Sequence, residues 1–146
     1  MIWNVIANVL FAMADCNAKK VSHRNLTAKH VFVMSRIGPY KVGNFAEAKV
    51  TAEKKDPIQS VYMAPEMHRD PAIKDMRTDV WSLGMICYKL MHREFPFHES
   101  DNAALTKFLY SHEALGYIPI TEDNGYSGKL NELVHKNFLV YDIKKR

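Results

Sequence analysis

Apolar residues recur at intervals of three and four from Ile2 to Met13, at Ile2, Val5, Ile6, Val9, Leu10 and Met13. That spacing gathers them on one side of a 3.6-residue turn and predicts an amphipathic helix lying on a core. The pattern then shortens. Val31-Phe32-Val33-Met34 and Tyr40-Lys41-Val42 are short runs rich in β-branched and aromatic residues, separated by Gly38-Pro39, which predicts two strands joined by a turn. From Val80 to Met91 apolar side chains fall on nearly every face, the mark of a helix buried all round, with Thr78 or Asp79 placed to cap its start. Pro96-Phe97 breaks the chain. Ser100-Asp101 then opens a helix with Leu105, Phe108 and Leu109 on one face, and Gly116 to Pro119 ends it. A last helix starts near Ser127 and carries Leu130, Leu133, Val134 and Phe138 at helical spacing.

This is a mainly α pattern with one small β-hairpin region, and it shows no internal repeat or low-complexity linker. A length of 146 residues and 47% hydrophobic content fit one domain, or part of one, with a sizeable core. The net charge of +4 comes from scattered Lys and Arg, with short clusters only at Lys54-Lys55 and Lys144-Lys145-Arg146, so a solvated surface is expected and not a nucleic-acid site. Cys16 and Cys87 are far apart and have no partner motif. The seven histidines lack metal-ligand spacing, so neither a disulfide framework nor a metal site is expected. Val9 to Ala14 ends in Ala-Met-Ala like a signal-peptide cleavage site, but it has no basic start and polar residues interrupt it. No run reaches the ~18 apolar residues a membrane helix needs. Direct membrane insertion is therefore not expected, and Asn25-Leu26-Thr27 is a formal glycosylation sequon only.

His23-Arg24-Asn25-Leu26-Thr27-Ala28-Lys29-His30 resembles the catalytic loop of eukaryotic protein kinases, H-R-D-L-x-x-x-N. Three further matches follow in order. Asn44-Phe45-Ala46 stands where these kinases have D-F-G, Ala64-Pro65-Glu66 matches A-P-E, and Thr78 to Gly84 is similar to the S-D-V-W-S-F-G of tyrosine kinases. Tyr141 to Arg146 resembles the D-P-x-x-R stretch, whose Arg pairs with the A-P-E Glu. The resemblance spans residues 1–146 and implies a kinase-like C-terminal lobe, from the helix before the catalytic loop to just short of the last helix. There is no G-x-G-x-x-G and no V-A-I-K strand, the parts that cover and hold ATP in the family. Ala28, Lys29 and Asp79-Val80-Trp81-Ser82 lean toward tyrosine kinases.

In the family, an Asp takes the substrate proton while Asn and Asp hold Mg²⁺ against ATP. Here those positions are Asn25, His30 and Asn44. Asn25 has no basicity, and His30 and Asn44 offer a nitrogen and a neutral amide where magnesium prefers hard, charged oxygens. Arg24 and Lys29 are the cations the resemblance leaves at the catalytic loop. His23 and Phe45 match a stacked internal spine, Asp79 the residue that holds the loop backbone, and Glu66 and Arg146 a buried ion pair. The implied protein is an inactive pseudokinase that binds or regulates an active kinase, an adaptor or a phosphoprotein. It would be cytoplasmic, or the cytoplasmic part of a receptor. The alternative is part of an active ATP-dependent tyrosine kinase. Thr51, Ser60 and Tyr62 are candidate phosphorylation sites, Tyr62 being expected to be packed, with Arg24 available to a phosphate. Exposed apolar surface, and with it marginal stability or self-association, is expected of the chain alone.

Overall fold

A computed structural model describes residues 1–35, 38–48, 60–73, 75–121 and 123–146. The order of elements is α1 (Ile2–Ala18), β1 (Val31–Val33), β2 (Tyr40–Val42), α2 (Pro65–Arg69), α3 (Arg77–His92), α4 (Asn102–Glu113) and α5 (Gly128–Leu133), with short 3₁₀ turns between them. The chain is thus mostly helical, with a two-stranded antiparallel sheet in the register Val31–Val42, Phe32–Lys41, Val33–Tyr40. A tertiary bond from the Met34 N–H to the Pro39 carbonyl at 3.2 Å extends the pairing toward the turn.

α1 buries Ile2, Val5, Ile6, Val9 and Met13, while Leu10, at the edge of the predicted stripe, is 37% exposed. The helix runs five residues past Met13. It ends where Lys20 takes a positive φ of 56° and the Val21 N–H closes back on the Cys16 carbonyl at 2.9 Å, which satisfies one of the last free carbonyls. α1 lies against β2 and α3.

α3 is the hydrophobic axis. Trp81, Leu83, Met85, Ile86, Cys87 and Met91 are all buried, and Gly84 is buried between them. A Cβ on Gly84 would sit 2.7 Å from Leu139 Cδ2 and 2.9 Å from Phe138 Cβ, so the glycine lets the chain after α5 lie directly on α3. That chain is one π-turn, Val134–Phe138, and it buries Val134 and Phe138.

The start of α3 differs from the expectation. Neither Thr78 nor Asp79 caps it. The helix begins earlier, at Arg77, and the residue that shapes its entry is Asp75, whose Oδ1 accepts the Arg77 N–H at 2.9 Å while Thr78 Oγ1 donates to the Asp75 carbonyl at 2.7 Å. Asp79 is left free to face another segment. The other two starts follow their caps: Asp101 accepts from the Ala104 N–H at 2.9 Å and Ser127 from the Leu130 N–H at 3.4 Å. α2, five residues with Pro65 in its first turn, was too short to carry an apolar period and is absent from the pattern-based prediction.

Candidate active site

Asp79 organises the loop that follows α1. Its Oδ2 accepts the His23 N–H at 2.8 Å and the Ser22 hydroxyl at 2.9 Å, and its Oδ1 accepts the Arg24 N–H at 2.8 Å. Burial pushes this carboxyl upward, and the three donors, which favour its charged form, oppose that shift. The anchored backbone is strained: Arg24 has φ 65°, a left-handed conformation that costs an L-residue about 1 kcal/mol.

His23 ties this loop to the segment after β2. Its Nδ1 accepts the Asn25 N–H at 3.3 Å, so Nε2 carries the proton and donates to the Gly43 carbonyl at 2.9 Å. The Gly43 N–H in turn donates to the His30 carbonyl at 3.0 Å. Phe45 packs on the His23 ring with centroids 4.6 Å apart, yet 41% of it is exposed. The His30 ring also stacks on His23, with centroids 6.1 Å apart.

The His30 ring bonds to the Asn25 backbone on one side and to the Asn44 side chain on the other. His30 Nδ1 lies 2.7 Å from the Asn25 backbone carbonyl oxygen, which can only accept, so that nitrogen carries a proton. His30 Nε2 lies 2.8 Å from Asn44 Nδ2 and receives its N–H. Asn44 reaches it from a left-handed conformation, φ 58° and ψ 63°, which Asn tolerates better than most residues. The lone pair His30 could offer a cation is thereby in use. Asn25, His30 and Asn44 supply no carboxylate, whereas Mg²⁺ beside a nucleotide is held through carboxylate oxygens together with phosphate and water, so this set does not fit it. Beside Asn25 is a hollow of about 10 Å³ shared with Ser60, Tyr62 and Ser82, room for no more than about one water.

The cations are placed differently from one another. Lys29 is exposed. Arg24 donates from Nη2 to the Pro71 carbonyl at 2.7 Å, while its Nε is buried without a hydrogen-bond partner among the described residues. Tyr62 is 6% exposed, and burial raises its phenol. The Ser60 hydroxyl accepts the Tyr62 N–H at 3.3 Å, and Thr51 lies outside the described residues.

Arg146 and Glu66 meet across 80 residues. Nη1 and Nη2 each donate to a carboxylate oxygen at 2.6 Å, and the remaining donors go to the carbonyls of Val140 (2.5 Å), Arg77 (3.2 Å) and Tyr141 (3.2 Å). The guanidinium lies over Trp81, 5.1 Å from the ring centroid. Every N–H of the Arg146 side chain is used, which is what permits an arginine side chain to be 0% exposed.

Residues 1–146 match the family model described as the protein kinase domain. The chain belongs to the protein kinase domain family. It is similar to the probable serine/threonine-protein kinase WNK8 of Oryza sativa subsp. japonica, 29% identical over 76% of this chain and 18% of that protein. The serine/threonine-protein kinase Nek5 of Homo sapiens is 27% identical over 84% of this chain and 17% of its own length. The mitogen-activated protein kinase kinase kinase 13-A of Xenopus laevis is 24% identical over 80% and 12%. The chain thus spans less than a fifth of these relatives. Those named for their phosphoacceptor are serine/threonine kinases, and they do not support the lean toward tyrosine kinases. That lean rested on a few residues, Ala28, Lys29 and the Asp79–Ser82 run, and not on the bulk of the chain.

Proposed function

We propose that this kinase domain is a pseudokinase C-terminal lobe that works by binding proteins in phosphorylation signalling and not by transferring phosphate. The observation that carries this reading is the hydrogen-bonded set Asn25–His30–Asn44. None of the positions that would supply the base and two metal ligands carries a carboxylate, and the side chains of His30 and Asn44 bond to each other. Loss of a general base alone is worth about 10²- to 10⁴-fold in rate. The frame, Asp79 with the loop and Arg146 with Glu66, is fully bonded. A fold can keep such a frame after its chemistry has gone, since function resides in the site. Partners of this class are an active kinase, an adaptor or a phosphoprotein, met on the cytoplasmic side of the membrane.

A second reading, an active ATP-dependent protein kinase, is favoured by Lys29, a cation exposed four residues from Asn25. The test is transfer of labelled γ-phosphate from ATP·Mg²⁺ to Ser/Thr and Tyr peptides by the full native protein. Background incorporation is expected. Transfer abolished by both Asn25→Ala and Lys29→Ala would establish the second reading instead.

A further inference from the structure

We infer that His68 is a proton-operated latch between α2 and α4, packed inward while its ring is neutral and turned out into the cleft between the two helices once the ring is protonated. His68 lies in the last turn of α2 and is half-buried, with its Nε2 enclosed and without a hydrogen-bond partner among the described residues. A neutral imidazole leaves only one lone pair or one N–H unmatched there. An imidazolium carries N–H donors on both nitrogens, so the enclosed Nε2–H would need an acceptor and the added charge a counter-ion. The ring also borders a cleft of about 180 Å³, which gives it a short way out to solvent.

Among the described residues no free counter-ion faces the ring. On its own helix stand Glu66 and Arg69, across the cleft Tyr110 and Glu113 of α4, and beside them Tyr141. Glu66 holds Arg146 and Glu113 holds Arg69, so both carboxylates are already paired. The Arg69–Glu113 pair is exposed and adds little to the hold of α2 on α4. Burial pulls the His68 imidazole below its ordinary value of 6.5, and it outweighs the Met63 carbonyl, which accepts from the ring, and the Glu66 charge, both of which favour the protonated form. The packed state is therefore fully favoured above pH 6.5 and gives way as pH falls from 6.5 toward the lower value of the folded chain. The latch uses none of Asn25, His30 or Asn44, so it stands whether or not the domain transfers phosphate.

The test is NMR of the protein with ¹³C-labelled histidine rings, titrated from about pH 8 to about pH 5. The His68 ring is expected to titrate with a midpoint below 6.5, and the Leu109 and Tyr110 amides to shift at the same midpoint. A soluble gadolinium chelate is expected to broaden the His68 ring resonance more at the acid end than at the alkaline end. His68→Phe, a neutral ring of similar size, is expected to lose the amide shifts. Three results would overturn the inference: amide shifts that persist in His68→Phe, which would assign them to another group such as His112 of α4; a His68 ring that protonates with no shift at Leu109 or Tyr110; or equal broadening at both ends of the titration, a result that the unsubstituted protein gives by itself.

Discussion

Asp79 accepts three hydrogen bonds with two oxygens, and an amide cannot replace it. In Asp79→Asn one oxygen becomes an NH₂ facing an N–H or O–H donor, so at least one buried donor loses its acceptor. A destabilisation of about 3 kcal/mol in urea unfolding is expected, together with changed amide shifts at His23 and Arg24; a change under about 0.5 kcal/mol would show that the loop is held elsewhere. Cys87 offers an independent check on the core. Desolvation raises its thiol from 9.0 to about 12, so the folded chain retains a proton that the unfolded chain releases. The corresponding stability is full below pH 9.0 and is lost as pH rises toward 12. Thiol labelling at neutral pH is accordingly expected to reach half-buried Cys16 first and Cys87 only on unfolding. Equal labelling rates would contradict the packing of α3.

The elements with a strong period were legible from the sequence, and those without one were not. α1 and α3 carry apolar residues at helical spacing over three turns or more, and β1 and β2 are marked by β-branched residues on either side of Gly38-Pro39. α2 is too short for a period. Thr78 and Asp79 both suit a cap of α3 by residue type, and nothing in the local pattern separates that role from Asp79's bond 56 residues upstream, at His23; the motif resemblance alone assigns Asp79 to the loop backbone. The candidate site shows the same division. Motif order identified Asn25, His30 and Asn44 as substituted positions, but their mutual bonding depends on the left-handed backbone at Asn44 and the hairpin register. Arg146 and Glu66 link the chain after α5 to α2, and Arg146→Ala would leave Glu66 mostly buried and unpaired. A loss of about 3–5 kcal/mol is expected, with Arg146→Lys recovering only part of it because a single ammonium cannot form the fork. A double-mutant cycle with Glu66→Gln measures the coupling; strict additivity would mean that the pair is incidental.

At the scale of the molecule, the core lies around α3 while several large apolar side chains of α1 and of the chain around β1 remain in solvent. Phe11 is 74% exposed, Val33 62%, Met34 55% and Phe32 50%. Such surface on α1 and β1 drives association in water. Sedimentation velocity of the chain alone is expected to show a coefficient that rises with concentration, and Phe11→Lys combined with Phe32→Lys to flatten the rise. A wild-type monomer at all concentrations would count against this. The measurement that bears most directly on the central claim uses Mn²⁺ as a paramagnetic stand-in for Mg²⁺, added with ATP to the full native protein while the Asn44 side-chain amide and His30 ring resonances are followed. With the pair bonded to itself, those resonances are expected to stay sharp as ATP·Mn²⁺ is raised. Their selective broadening, reversed by a chelator, would place a cation between His30 and Asn44 and contradict the account.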